Sequence, residues 1–177
     1  MDTEDSRIFT FSTKLGWFAI SHDGGKIRRI KIGFDSELLV IKAMKSVCDD
    51  GHLVTRLNDD EREIQQVFKG YAAGGDADFK RLKLDQGKQP EFTRKVIEHC
   101  RRVPYGQTLT YGQLAAKAGS PKAARAVGSC MKQNRFPIVI PCHRIVAGGG
   151  VGGYNGPNGC QLKRRLLELE GVLAFKA

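Results

Sequence analysis

Thr110-Tyr111-Gly112-Gln113-Leu114-Ala115-Ala116-Lys117-Ala118-Gly119-Ser120-Pro121-Lys122-Ala123-Ala124-Arg125-Ala126-Val127-Gly128 reads as two short helices joined by a two-residue turn. Thr110 and Gln113 stand at capping-box spacing, which opens a helix over about residues 111–118. Gly119 can take the left-handed conformation that closes it. Ser120 can cap the next helix, with Pro121 at its first position, running to about Gln133. Helix, Gly-Ser turn, helix is the form of a helix-turn-helix. The second helix is nearly bald: Ala123, Ala124, Ala126 and Gly128 leave Arg125 as the long side chain in its middle. Small residues serve close approach to a nucleic-acid surface, with the arginine as a wedge. They serve tight packing inside the domain equally well, and the helix alone leaves both readings open.

Asn134 follows and can cap the second helix at its C-terminus. Then Ile138-Val139-Ile140-Pro141-Cys142-His143-Arg144-Ile145-Val146 sets one cysteine between two runs of β-branched aliphatics. The aliphatics predict a buried strand. Pro141 cannot donate to a sheet ladder, so that strand is expected to end there and present Cys142 at its edge. A thiol beside two cationic side chains is in a setting that lowers its pKa and supplies thiolate. A structural cysteine beside a surface His-Arg pair fits the same residues. Adjacent side chains of a strand point apart. A turn at Pro141 lets His143 reach the sulfur through a water, with a carboxylate holding its far nitrogen, the relay of nucleophile, base and orienter. Glu170 is a candidate for that carboxylate. It sits in a last helix over residues 162–170, whose charges run against the helix dipole, with Lys163, Arg164 and Arg165 in the first turn.

Between Cys142 and that helix, residues 147–159 hold seven glycines. Gly148-x-Gly150-x-x-Gly153, with Glu168 twenty residues after Gly148, matches a dinucleotide fingerprint only if a helix opens there. Gly153-Tyr154-Asn155-Gly156-Pro157-Asn158-Gly159 cannot open one. A mobile loop near the thiol, anchored by Tyr154, is the expectation.

Upstream, residues 7–13, 16–21 and 26–34 are short Phe-, Trp- and Ile-rich stretches separated by turn signals, which predicts an antiparallel meander. A helix is expected over residues 38–47. Another starts near Asn58 or Asp59, with Ile64, Val67, Phe68 and Tyr71 on one face. Residues 79–85 alternate and are expected to rejoin the sheet. Gln86-Gly87-Lys88-Gln89-Pro90 reads as a linker, after which Phe92, Val96, Ile97 and Cys100 share a helix face. The fold class is α+β. A small antiparallel-sheet and helix domain, residues 1–86, precedes a mainly helical, winged-helix-like domain, residues 90–177.

Charge separates the halves further. Residues 1–89 carry 15 basic and 15 acidic side chains, and residues 90–177 carry 14 and 4. The formal +10 therefore lies in the half that holds Cys142, which points to a polyanion-binding module, nucleic acid first. Five scattered cysteines without a Cys-x-x-Cys pair argue against a zinc knuckle and a disulfide framework, and for a reducing compartment. No segment has the ~20 apolar residues of a membrane span. The acidic start Met1–Asp5 has no apolar run of a secretory signal.

Pro141-Cys142-His143-Arg144 with its flanking aliphatics resembles the active-site signature of the O6-alkylguanine-DNA alkyltransferases, the methylated-DNA–protein-cysteine S-methyltransferases. The resemblance continues through Val103-Pro104-Tyr105-Gly106, the helix pair, Asn134, Gly153-Tyr154, and Leu166-Leu167 to Glu170-Gly171. It covers essentially residues 90–177. It implies a suicide repair protein that flips O6-alkylguanine, and O4-alkylthymine, out of double-stranded DNA and keeps the alkyl group on Cys142 in a single turnover. His143 and Glu170 would generate the thiolate through a water. Tyr111 would press on a phosphate and protonate the departing guanine, and Asn134 would brace the turn before the active-site segment. Thr110, Tyr111, Ala123, Ala124, Ala126 and Gly128 would meet the minor groove, with Arg125 filling the gap left by the flipped base. Pro137, Val146, Tyr154, Asn155 and Gly156 would form the substrate pocket.

The resemblance implies no cofactor, no metal, no membrane, and a monomer without an obligatory protein partner. The site would be intracellular, cytoplasmic in a prokaryote and nuclear in a eukaryote. Asn155-Gly156-Pro157 departs from the serine or alanine and two glycines of many relatives, which bears on the tolerance of bulky alkyl groups. Rival readings are a transcription factor with an alkylation-sensing cysteine and a thiol hydrolase. A damage-binding relative that lacks the cysteine is excluded by Cys142.

Overall fold

The computed structural model describes residues 6–48 and 50–172; the acidic start Met1–Asp5 lies outside them. The chain forms two compact units, residues 1–86 and 87–177.

In the first unit, β1 (Arg7–Thr13), β2 (Gly16–Asp23) and β3 (Lys26–Phe34) form the expected antiparallel meander. Gly16 has φ +105°, and a Cβ there would stand 2.7 Å from the Phe34 carbonyl, so the first turn requires glycine. Register sorts the side chains onto two faces. Ile8 and Ala19 pack with Val40 and Met44 of α1 (Glu37–Lys45), which starts one residue before the expected helix because Ser36 caps it. Phe9, Phe11 and Phe18 face the other way, toward Phe68 of α2 (Asp59–Ala72), where Phe18 and Phe68 meet edge-on at 6.2 Å. Burying such a ring stabilises by roughly 1.5–3 kcal/mol, so this cluster dominates the unit. Asn58 and Glu61 close a capping box on α2, and buried Glu61 also takes the Arg7 guanidinium at 2.7 and 3.0 Å.

Two expectations change in this unit. Residues 79–85 form no full strand. They touch the sheet at a single parallel bridge of Ile27 with Leu84, while Phe79 leaves to pack at a tilt on Phe68, ring centres 5.1 Å apart. Core packing of one ring overrides the alternation. A two-residue strand, β4 (His52–Leu53), pairs parallel to β1 instead and gives the order β3-β2-β1-β4. It is too short to carry a periodic signal.

In the second unit, α3 (Glu91–Arg101) packs on α4 (Tyr111–Lys117) and α5 (Ala124–Lys132). Thr110 caps α4 with Gln113 closing the box. Gly119, at φ +83°, ends α4 in a Schellman pattern, with Ser120 N–H to Ala115 O and Gly119 N–H to Ala116 O. α5 starts later than the sequence predicts. The Ala123 N–H bonds Ser120 O at 2.9 Å, so residues 120–123 form a β-turn with Pro121 where its fixed φ fits, and Ser120 does not cap the helix. β5 (Leu109–Thr110) and β6 (Ile145–Val146) pair in parallel, Thr110 opposite Val146, which sets Tyr111 beside the Cys142 segment. α6 (Cys160–Leu169) follows the glycine-rich loop. Among the described residues no helix is long and apolar enough to cross a membrane.

Candidate active site

The segment before Cys142 corrects the strand expectation. Ile138 has φ +74°, a conformation that costs a β-branched residue of order 1–3 kcal/mol. Ile140 N–H reaches back to Phe136 O at 2.8 Å. Pro141 (φ −78°, ψ 62°) is then the centre of an inverse γ-turn, with the Cys142 N–H on Ile140 O at 2.7 Å. Cys142–Arg144 is a turn of 3-10 helix, not a strand edge. A short apolar run signals burial without specifying the backbone. Here the aliphatics are buried as a knot of turns, and the knot is stitched by Asn134. Its Nδ2 donates to Ile140 O at 2.8 Å and to Cys142 Sγ at 3.1 Å, and its Oδ1 accepts from Phe136 N–H.

The turn swings His143 into full burial, where its ring pairs with Glu170 Oε1 through Nε2 at 2.7 Å. Arg144 grips the same carboxylate with Nε and Nη2, both at 2.9 Å, and the Gly106 N–H adds a fourth donor at 3.2 Å. Arg144 also donates to Val103 O at 2.7 Å. Burial pushes Glu170 up, but His143 and Arg144 pull harder and hold its pKa down at about 2. Burial lowers the His143 pKa, and Glu170 only partly offsets this. The permanently charged Arg144 suffices to keep Glu170 ionised. A carboxylate can only accept, so neutral His143 carries its proton on Nε2 and its lone pair on Nδ1.

Cys142 does not rest as the thiolate that its neighbours predict. Burial raises its pKa, and the Asn134 hydrogen bond and the nearby Lys163 charge offset that only in part. The charge of Arg144 is committed to Glu170 rather than to sulfur. The cation that acts on the thiol is Lys163, which the sequence reading placed only as one of three cations in the first turn of the last helix. It is fully buried, its Nζ donates to Ile145 O at 2.5 Å and Gly153 O at 3.2 Å, and it lies 5.6 Å from the centre of the Tyr111 ring. Burial lowers its pKa to about 8 against the opposing pull of Cys142 and two further thiols. Its i, i+3, i+4 neighbours on α6 are the buried Cys142-side residues Leu166 and Leu167, so Lys163 lies on the apolar face of the helix. That periodicity is the signal that marks it.

Cys142 opens into a cavity of about 430 Å³. Tyr111, Tyr154 and Asn155, expected near substrate, line it; so does Gly128, expected at the minor groove, and so do Met131, Lys132 and Gly153, which were not expected. Pro137, Val146 and Gly156 are not among the lining residues. Val146 is held in the β5–β6 ladder and the core with Val151 and Leu167. Pro137 bridges to Ile140, and Gly156 lies under the Tyr154 ring, where a Cβ would come within 2.9 Å. Burial raises the Tyr111 pKa, so its hydroxyl, which donates to Gly153 O at 3.4 Å, keeps its proton.

The bald helix is resolved by its neighbours. Val127 and Met131 of α5 face inward, Arg125 and Ala126 are exposed, and Ala123, Ala124 and Gly128 are half-buried. A Cβ on Gly128 would meet nothing within 4 Å, so no tight packing requires a small residue there. Arg125 forms no ion pair among the described residues. Thr110 spends its hydroxyl on the α4 cap.

The family model described as 6-O-methylguanine DNA methyltransferase, DNA binding domain, matches residues 91–172. A methylated-DNA–protein-cysteine methyltransferase of Methanothermobacter thermautotrophicus is 44% identical over 112 residues, 63% of this chain and 61% of its own length. The chain thus spans somewhat under two thirds of that relative. A protein of the same name from Methanopyrus kandleri is 41% identical over 113 residues, 64% of this chain and 79% of its own. The crystal structure of Mycobacterium tuberculosis OGT in complex with DNA superposes with a TM-score of 0.74 at 26% identity, covering 93% of both chains. The chain belongs to the methylated-DNA–protein-cysteine methyltransferase family.

Proposed function

We propose that the protein repairs DNA by moving the alkyl group of O6-alkylguanine, and of O4-alkylthymine, onto Cys142, once per molecule. The observation that carries this reading is a buried thiol at a cavity wall, next to a neutral histidine whose far nitrogen is held by an ionised carboxylate. His143 takes the thiol proton through a water, since Cys142 rests protonated. The sulfur attacks the alkyl carbon. An S–C bond forms, the C–O6 bond breaks, and the electron pair leaves with guanine, which Tyr111 protonates. Lys163 offsets the negative charge that passes from sulfur to the base. Nothing in the cavity can cleave the thioether, so the protein is consumed.

A base reaches a buried sulfur only after leaving the duplex stack. The open face of α5 in the basic unit, with exposed Arg125, fits minor-groove docking and insertion of that side chain into the vacated gap. The M. tuberculosis relative's structure with DNA supports DNA as the partner. The protein acts as a monomer in this reading.

Intact mass after incubation with duplex O6-methylguanine is the direct test. Gain of one methyl per chain, lost in Cys142→Ser, is expected; unchanged mass with the DNA still methylated refutes the proposal. Arg125→Ala should slow transfer from duplex roughly tenfold to a hundredfold, the scale of a lost inserted contact of about 1–3 kcal/mol. It should spare reaction with free O6-benzylguanine. Equal losses on both substrates remove the wedge role.

A further inference from the structure

On the α5 side of the cavity rim the glycine-rich loop is fastened by Asn155. Asn155 Nδ2 donates to Lys132 O at 2.7 Å. Lys132 ends α5, and the last carbonyls of a helix have no intrahelical donor, so Asn155 completes the helix terminus from across the chain. Both residues line the cavity that Cys142 enters. Away from α5 the loop is held at Gly153 O, which accepts from Lys163 Nζ at 3.2 Å and from the Tyr111 hydroxyl at 3.4 Å, and by buried Val151. A Cβ at Gly148, Gly149 or Gly150 would meet nothing within 4 Å, so residues 148–150 are little packed. Pro157, two residues beyond Asn155, limits the backbone on the far side.

We propose that Asn155 is a latch that fixes the distance between α5 and the pocket loop and thereby restricts the pocket to small O6 substituents. The inference rests on the alkyl-transfer reading above. With the latch closed, a large substituent meets a wall that cannot retreat without breaking a hydrogen bond. Because α5 also carries Arg125, the same bond ties the width of the pocket to the helix proposed to dock on DNA. Asn155 acts on the substrate through the loop and is a positioning residue.

Asn155→Asp keeps the size of the side chain and removes the donor, whereas Asn155→Ala removes both. The readout is the ratio of second-order transfer rates for duplex O6-benzylguanine and duplex O6-methylguanine. Both variants should raise that ratio about three- to tenfold, the span of one hydrogen bond. An unchanged ratio in Asn155→Asp overturns the latch, and so does a rise in Asn155→Ala alone, which assigns the limit to bulk. Amide hydrogen exchange of residues 147–156 in DNA-free protein gives a readout independent of chemistry. Exchange should accelerate in Asn155→Asp, and unchanged exchange overturns the latch. A wild-type protein that takes up no methyl group refutes the alkyl-transfer reading instead, whatever the exchange shows.

Discussion

Glu170→Ala is expected to lower stability by about 3–5 kcal/mol, because it removes the common partner of a buried guanidinium and a buried imidazole. Arg144 has its Nε and Nη2 on this carboxylate, and His143 has its Nε2 there. Alanine leaves the buried arginine charge with Val103 O and the face of the Tyr105 ring. On a unit of this size the loss corresponds to a fall in Tm of roughly 10–30 °C. Glu170→Gln keeps the shape but turns a donor toward two of the four donors, so it should lose stability too, and both variants should lose alkyl transfer in the protein that remains folded. The pH dependence follows from the same geometry. The folded pKa of about 2 lies below the unfolded value of 4.5, so Glu170 contributes fully above pH 4.5 and its contribution is lost as pH falls toward 2. Denaturant titrations between pH 5 and 2.5 should therefore show a shallower loss for Glu170→Gln than for wild type. A Tm change under a few degrees, or parallel pH profiles, would show that the hub carries no such load.

How far the chain is readable before folding depends on the range of the interaction. The capping box of α4, the left-handed Gly119 and the start of α2 near Asn58 are local and are specified by residues three to nine apart, so they could be placed. The bonds around the thiol are not local. Arg144 and Glu170 stand 26 positions apart, and Arg144 and Val103 stand 41 apart. Arg144 stands beside Cys142 where a thiol activator would, and its distant partners show how its charge is taken instead. Lys163 is the opposite case: a cation among cations on a helix start reads as solvated, while the register of Leu162, Leu166 and Leu167 places that stem on the buried face. The aliphatics before Cys142 fail for a third reason. Burial is a property of the residue types, but the left-handed Ile138 and the γ-turn at Pro141 are imposed by Asn134, whose side chain competes with a strand ladder for the same backbone groups.

Lys163→Met is expected to separate stability from chemistry. A fully buried ammonium is costly, and its pKa of about 8 against an ordinary 10.5 reports that cost. The folded value is the lower one, so between about pH 8 and 10.5 the unfolded chain binds more protons and wild-type stability should rise with pH. In Lys163→Met that rise should vanish. Stability at neutral pH should hold within about 1 kcal/mol, because methionine fills the stem's volume and removes the desolvated charge, while Ile145 O and Gly153 O each lose one donor. Alkyl transfer should fall about tenfold or more at pH 7, where the charge both eases ionisation of Cys142 and sits over Tyr111 as the base departs. The deficit should be largest below pH 8 and should close above it, since wild type then loses the same charge. Single-turnover rates from pH 6.5 to 9.5 on a duplex substrate test this. A deficit that is constant across the range would make Lys163 a packing residue whose loss shifts the pocket, and a large fall in stability without a rate effect would assign it to the fold alone. Convergence at high pH leaves electrostatic support of the thiol as the explanation, because neither a displaced Tyr111 nor a loosened loop would recover when a proton is removed.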